Sequence, residues 1–210
     1  MILMSEPPDD SQFAPATQRN REPILDVLLQ VLPPTGTVLE ISSATGEHAV
    51  FFAPRLAPRR WLPSDPNPDA RASIMAWRNH CSAGNVDAAI ALDARDPAWA
   101  IAPAQQNLIT AIVNINMIHI APWSACLGLM SGASRLLPVG GILYLYGPFK
   151  QGGRHTAPSN AAFDESLRSQ NLEWGIRDLD AVIEVAQAQN LMILKTYEMP
   201  ANNLSVVLRK

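Results

Sequence analysis

Apolar residues recur along the chain at helical and strand-like spacings that alternate with each other. Between residues 16 and 32, the spacing of Ile24, Leu28 and Leu32 is helical, and Pro33-Pro34 ends this helix. Proline is tolerated at the first turn of a helix, so we place Pro23 there and predict a separate short turn before it. Further helical patterns cover residues 47–56, 69–81, 121–137, 160–168 and 178–189.

Seven short apolar segments have the length and composition of β-strands. Strands that alternate with helices imply right-handed crossovers and a mostly parallel sheet, whereas residues 200–203 join the last two strands in an antiparallel hairpin. Pro63 is anomalous, because proline has no N–H for the ladder of an interior strand. The predicted strands are residues 37–42, 60–64, 87–92, 108–116, 142–146, 192–198 and 204–209.

Composition excludes several classes of protein. The 210 residues are 48% hydrophobic and 17% charged, which excludes general disorder and is compatible with a single domain. The net charge of −3 provides no basic surface for nucleic acid or anionic lipid. Two cysteines, Cys81 and Cys126, form neither a disulfide framework nor a zinc site, so we expect no metal.

Segment lengths determine the expected location and organisation. The longest apolar stretches are too short to span a membrane, and the N-terminus does not have the pattern of a signal peptide. We therefore expect a cytoplasmic protein, a monomer or a homodimer, without membrane or nucleic-acid partners. The polar, proline-rich start predicts a flexible segment over residues 1–15, followed by one domain over residues 16–210.

Acidic residues recur in or after the first three predicted strands. Glu40 lies within the first strand, Asp65 ends the second and Asp93 ends the third. Ligands of parallel α/β sheets bind beyond the carboxyl ends of the strands, and a carboxylate after the second strand suits ribose hydroxyls. Each of these aspartates is equally compatible with a turn or a helix cap.

Small residues follow the first strand. Residues 42–46, Ser-Ser-Ala-Thr-Gly, lead into a helix whose first N–H groups are free to bind a ligand. The alternative is a tight corner in which the small side chains serve only close packing.

Together these residues resemble the cofactor site of class I S-adenosylmethionine-dependent methyltransferases, in which an acidic residue precedes a glycine-rich loop. The chain also resembles the domain-of-unknown-function 938 family, which includes methyltransferase-like protein 26. The resemblance implies a Rossmann-like α/β fold with a seven-stranded, mostly parallel sheet, an antiparallel C-terminal hairpin and helices on both faces. The segments that carry it are residues 16–25, Ser64-Asp65-Pro66, residues 116–120, residues 159–167 and Trp174-Gly175-Ile176-Arg177-Asp178.

The same resemblance implies roles for particular residues toward S-adenosyl-L-methionine. Asp65 would hold the ribose hydroxyls, and Asp93 with Ala94 would face the adenine. Asn114 or Asn116 would lie nearest the sulfonium and the transferred methyl group. The remaining cofactor-binding candidates are Ser42, Ala44 and Gly46, which would line the methionine part, and Glu40, the acidic residue that precedes the loop.

The candidates for the methyl acceptor lie after the fifth predicted strand and in the first helical segment. Methyl transfer requires mainly in-line positioning, with a general base only where the nucleophile must lose a proton. His119 is the candidate base and Asn116 the second candidate catalytic residue, although His119 equally fits a partly buried helix start. The candidates for binding a small-molecule acceptor are Arg19, Tyr146, Phe149, Arg154 and Asn160.

Two other functions remain open. Ser42 and Ala44 occupy positions where class I loops usually carry glycine, and a Cβ there disfavours a positive φ, so a non-catalytic protein with an inherited fold is one alternative. A nucleotide-dependent oxidoreductase is the other, although the Gly-x-Gly-x-x-Gly pattern is absent.

Overall fold

Helices cover both faces of a six-stranded sheet in the computed structural model, which describes residues 10–210. The helices are α1 (Pro15–Val31), α2 (Glu47–Arg55), α3 (Pro68–His80), α4 (Pro103–Gln106), α5 (Trp123–Leu136), α6 (Pro158–Gln170) and α7 (Leu179–Ala188). The strands are β1 (Thr37–Ile41), β2 (Arg60–Ser64), β3 (Ile109–Ile115), β4 (Ile142–Gly147), β5 (Lys150–Gln151), β6 (Arg154–His155), β7 (Met192–Met199) and β8 (Asn203–Arg209).

The sheet has the order β2-β1-β3-β4-β8-β7. Strands β1 to β4 pair in parallel, whereas β8 is antiparallel to both β4 and β7. The carboxyl ends of four strands therefore meet at one edge of the sheet, next to the loop between β7 and β8. The two-residue strands β5 and β6 form a separate small hairpin.

The two faces of the sheet bury separate apolar clusters. Leu39 of β1 packs in a cluster with Leu129 of α5, whereas Val38, its neighbour in the chain, packs in a cluster with Leu28 of α1 and Phe52 of α2. Adjacent residues of a strand point to opposite faces, so both must be apolar when helices cover both sides. Within residues 10–210, no helix is long and apolar enough to cross a membrane.

The predicted strand over residues 87–92 does not form. This segment makes only isolated bridges to β2, Trp61 to Val86 and Ser64 to Ile90. The Trp61 N–H donates to the Asn85 carbonyl, and the Trp61 carbonyl accepts from the Asp87 N–H, so the next rung would require an N–H at residue 63. Proline occupies that position and has no N–H, which interrupts the ladder. The sheet therefore has six strands, not the seven predicted.

The first helix also differs from the prediction. α1 is continuous from Pro15 to Val31, with Pro23 in its interior, so residues 19–21 are helical and do not form a separate turn. Proline inside a helix removes the hydrogen bond to the carbonyl four residues earlier, here that of Arg19. In a continuous helix, residues three and four apart share a face. Ala16, Arg19 and Asn20 therefore face the same side.

Candidate active site

In the loop after β1, alternate residues adopt the left-handed backbone conformation, with positive φ angles. The φ angles of Ser42, Ala44 and Gly46 are 58°, 48° and 87°. Non-glycine residues adopt this region at a cost, which persists only where the surrounding structure enforces it. At Gly46 no alternative exists, because a Cβ would lie 2.7 Å from the Cα of Ile74. The Cβ atoms of Ser42 and Ala44 have not prevented the conformation that glycine would favour.

Hydrogen bonds from β2 enforce the course of this loop. Ser43 N–H donates to the Ser64 carbonyl at 2.8 Å, and the Ser64 hydroxyl donates to the Glu40 carbonyl at 2.7 Å. Ala44 N–H donates to one carboxylate oxygen of Asp65 at 3.0 Å. The other oxygen accepts from Asn67 N–H at 2.9 Å. Asp65 is buried against the loop, beside the end of β1.

Glu40 lies in the interior beneath the loop, at 2% exposure. Its Oε2 accepts from the indole N–H of Trp61 at 2.9 Å. Burial raises the pKa of this carboxyl from 4.5 to about 7, although the hydrogen bonds from Trp61 and Ser43 lower it. Glu40 therefore exchanges a proton near neutral pH.

The chain before α1 covers the same loop. Ala14 N–H donates to Oε2 of Glu47, the first residue of α2, at 2.7 Å. Gln12 N–H donates at 2.8 Å to the Ser73 hydroxyl, which itself donates to the Thr45 carbonyl. Part of the predicted flexible segment is thus attached to the loop, whereas residues 1–9 lie outside the described residues.

Asp93 and Ala94 occupy a turn after the interrupted ladder. Arg95 forms an ion pair with Asp93 at 2.6 Å, and the hydrogen bonds from Arg95 lower the pKa of this carboxyl even though burial raises it. Ala94 is buried at 4% exposure. The Asp93 carboxylate already has a charged partner on its own turn, whereas the partners of the Asp65 carboxylate among residues 10–210 are backbone N–H groups.

The two asparagines near the end of β3 have different surroundings. Asn114 is 1% exposed, and its amide donates to the Ile41 carbonyl at 3.0 Å, which joins β3 to the end of β1. Asn116 follows β3 with a φ of 63°, and its N–H donates to the Tyr146 carbonyl at 2.8 Å. Asn116 lines a cavity, whereas Asn114 serves the contact between the strands.

This cavity, which we call the acceptor cavity, has a volume of about 680 Å³. It lies beyond the carboxyl ends of β3 and β4, where α1, α6 and the β7–β8 loop approach one another. Three of the predicted acceptor residues line it, namely Arg19, Tyr146 and Asn160. Among the wall residues that the structure describes, Arg19 is the only charged one. The apolar part of the wall includes Ile120, Pro148, Phe163 and Pro200.

His119 lies in the interior, outside the wall of the cavity. It is 1% exposed, and its ring contacts Phe149 edge-on, with 5.1 Å between centroids. Burial and the positive charge of Arg177 lower the pKa of His119 to about 3, and the Arg177 N–H donates to Nδ1 at 3.4 Å. A neutral imidazole that accepts at Nδ1 carries its proton on Nε2. Nε2 is therefore a donor, and the predicted role as general base does not fit this geometry.

Gly147 ends β4 beside this histidine. A Cβ at Gly147 would lie 2.5 Å from Nε2 of His119 and 3.1 Å from Oδ1 of Asn116, so only glycine allows both side chains to approach. Two other predicted acceptor residues lie elsewhere than in the cavity wall. Phe149 is 1% exposed in the apolar core, and Arg154 is exposed on the β5–β6 hairpin.

Several residues of the cavity wall were not predicted from the sequence. Asn202 and Asn203 carry the pattern of a hairpin turn, which predicts their backbone and not their side chains. Asn160 donates through both amide hydrogens, to Thr156 and to the Asn202 carbonyl, each at 3.0 Å. The β7–β8 loop is thereby held against α6, a long-range contact for which no local pattern exists.

Comparison with known proteins shows the family of the chain and the structures that its fold resembles. A model of a family described as protein of unknown function, DUF938, matches residues 11–210. The chain belongs to this family. Its fold is similar to that of an O-methyltransferase family 2 protein from Planctomyces limnophilus in complex with apigenin, at 17% identity and a TM-score of 0.76 over 93% of this chain and 57% of that one.

Two further solved structures have the same fold. Human N-acetylserotonin methyltransferase in complex with S-adenosylmethionine matches at 14% identity and a TM-score of 0.73, over 93% of this chain and 52% of that one. A candidate sarcosine dimethylglycine methyltransferase from Galdieria sulphuraria matches at 15% identity and a TM-score of 0.71, over 99% and 91%. The chain spans just over half the length of the first two proteins. The fold of this DUF938 protein is that of the class I methyltransferases.

Proposed function

We propose that this DUF938 protein is an S-adenosylmethionine-dependent methyltransferase that acts on a small molecule in the acceptor cavity. The observation that carries the proposal is the position of the left-handed loop beside Asp65, next to a cavity at the same edge of the sheet. Ligands of doubly covered parallel sheets bind in this position.

The residues of the loop fit the cofactor. Three alternate residues already adopt the left-handed backbone, and the exposed residue Ala44 adds only a methyl group where the ligand would approach. We assign the ribose hydroxyls to Asp65, because within the described residues its two carboxylate oxygens accept from backbone N–H groups and from no charged side chain. The methionine part is assigned to the loop, with Ser42 and Gly46, and the adenine to the turn of Asp93 and Ala94.

The chemistry requires little of the protein beyond positioning. When bound, the cofactor would supply a sulfonium-activated methyl group. Asn116 is assigned to the acceptor side, because it lines the cavity at the end of β3. Asn114 and His119 are assigned positioning roles, because both are buried and outside the cavity wall. In-line orientation and exclusion of water can provide most of the acceleration for such a transfer.

Binding of S-adenosylhomocysteine, the demethylated product, tests this function directly. We expect a higher melting temperature and measurable binding by calorimetry, because a ligand at 100 times its Kd stabilises the folded state by about 2.7 kcal/mol. NADH, added as a matched control nucleotide, should produce no shift. Absence of binding by the product at millimolar concentration would favour the non-catalytic alternative, and a shift with NADH alone would favour an oxidoreductase.

A further inference from the structure

The acceptor cavity has an uneven distribution of charge. Arg19 is exposed at its mouth and has no ion-pair partner among residues 10–210. Within the described part of the chain, the other polar side chains of its wall are amides and hydroxyls, with no carboxylate among them. A guanidinium without a counter-ion beside an otherwise uncharged cavity wall favours an anionic ligand, because hydrogen bonds between a guanidinium and a carboxylate are stronger than those between neutral groups.

Tyr146 contributes a donor to the same cavity. The residue lines the wall yet is only 4% exposed. Burial raises the pKa of Tyr146, although the amide of Asn20 lowers it by donating toward the hydroxyl oxygen. The hydroxyl keeps its proton and can donate it to a ligand while it accepts from Asn20.

The start of α6 also favours an anionic ligand in the cavity. Ser159 and Asn160, in its first turn, line the cavity. The 13-residue helix has neither a side-chain cap nor an acidic residue in its first turn. The N-terminus of a helix carries a partial positive charge, which here remains uncompensated within the first turn. It adds to the field of Arg19.

We propose that the acceptor is an organic acid, whose carboxylate binds Arg19 and the Tyr146 hydroxyl while its apolar body contacts Phe163 and Ile120. This inference deepens the proposed function and rests on it for the identity of the reaction, but the preference of the cavity for an anion does not require the cofactor. The carbonyl oxygen of Asn160 remains to accept a hydrogen bond, since both its amide hydrogens are used within the wall. A hydroxylated acid therefore fits best.

A pair of probes of nearly the same shape, one anionic and one neutral, tests the inference. We would compare 4-hydroxycinnamate with 4-hydroxycinnamamide by calorimetry and by saturation-transfer NMR, each with and without S-adenosylhomocysteine. The acid should bind at least tenfold more tightly than the amide, and added salt should weaken only the acid. Equal affinities, or no binding by the acid at millimolar concentration, would overturn the inference.

Substitutions locate the preference in the cavity. Arg19→Ala should abolish the difference between acid and amide, Arg19→Lys should retain most of it, and Tyr146→Phe should weaken the acid several-fold. Arg209→Ala removes an exposed cation beside Ile142, at the opposite end of β4, and should change nothing. An acid preference that survives Arg19→Ala would refute the assignment.

The two proposals can fail separately. If S-adenosylhomocysteine does not bind but the acid does, the methyltransferase assignment is wrong and the anion site stands. If the product binds but the acid and amide bind equally, the methyltransferase assignment stands and the acceptor class is wrong.

Discussion

The site has two halves, which differ in how far their polar groups already have hydrogen-bond or ion-pair partners within the protein. In the cofactor half, which comprises the β1 loop with Glu40 and Asp65, carbonyls and carboxylates already have protein partners, and the backbone follows a strained course. In the acceptor half, Arg19 has no ion-pair partner among residues 10–210, and Tyr146 places a protonated hydroxyl in the cavity wall.

This difference indicates how each half achieves specificity. A strained loop held by internal hydrogen bonds is shaped before its ligand arrives, so substitutions there change stability and binding together. Substitution of a side chain that has no partner within the protein should change binding without changing stability. The following predictions separate the two halves by that criterion.

The largest effect is expected at Gly46. Gly46→Ala places a Cβ 2.7 Å from the Ile74 backbone at a φ of +87°, and it should lower the free energy of unfolding by about 4 kcal/mol. Ala44→Gly, two residues away, should change the free energy of unfolding by about 1 kcal/mol or less. Urea unfolding measures both, and equal stability of Gly46→Ala and wild type would mean that the loop is not held as described.

A second effect in the cofactor half is a pH dependence of stability. Because burial raises the pKa of Glu40 from 4.5 to about 7, the folded protein keeps a proton that the unfolded chain releases between these values. Stability should therefore fall as pH rises through this range, by up to about 3 kcal/mol. Glu40→Gln should remove that part of the slope in urea unfolding at several pH values. Parallel curves for wild type and variant would contradict the raised pKa.

At Asp65 we expect a change in binding of intermediate size. Asp65→Ala should weaken S-adenosylhomocysteine by about 30-fold, or roughly 2 kcal/mol, because the ribose would lose a charged hydrogen-bond acceptor. Asp69→Ala removes an equal charge from an exposed position in the first turn of α3 and serves as the control. Calorimetry should show less than a twofold change for the control. Equal losses in both variants would indicate a general charge effect.

The smallest effect is expected in the acceptor half. Phe163 is 44% exposed and lines the cavity, so Phe163→Ala should leave the melting temperature and product affinity unchanged. Binding of the acid probe should weaken by about fivefold, or about 1 kcal/mol of lost apolar contact. A fall in melting temperature as large as that of Gly46→Ala would show that this wall is structural.

The candidates of the two halves depend on the sequence in different ways. Asp65 and the loop of residues 42–46 are local features next to recognisable strands, so spacing and resemblance made them candidates for the cofactor site. Arg19 and Asn160 were candidates in the sequence, but their convergence depends on contacts between distant segments. Phe149 and Arg154 both follow β4 closely in the sequence. Phe149 packs in the core whereas Arg154 is exposed to solvent, and position in the sequence alone does not distinguish these outcomes.

Local chemistry also accounts for the two differences in the fold. The missing N–H of Pro63 was visible in the sequence as an anomaly, and only the pairing with residues 85–90 shows that it interrupts the ladder. Pro23 suggested a helix start, but packing of Ile24 and Leu28 against the sheet holds α1 together across it. Tertiary burial can offset the local cost of proline in a helix interior.

The sequence by itself determined the α/β class, the order of the helices and most of the strands, and the place of the left-handed loop. These depend on periodicity and on residues close together in the chain. The tertiary structure alone decided the protonation of Glu40 and His119, the reach of α1 over both halves of the site and the enclosure of the acceptor cavity. Burial and long-range contact set these properties, because the free energy of a charge or a donor depends on what surrounds it in space.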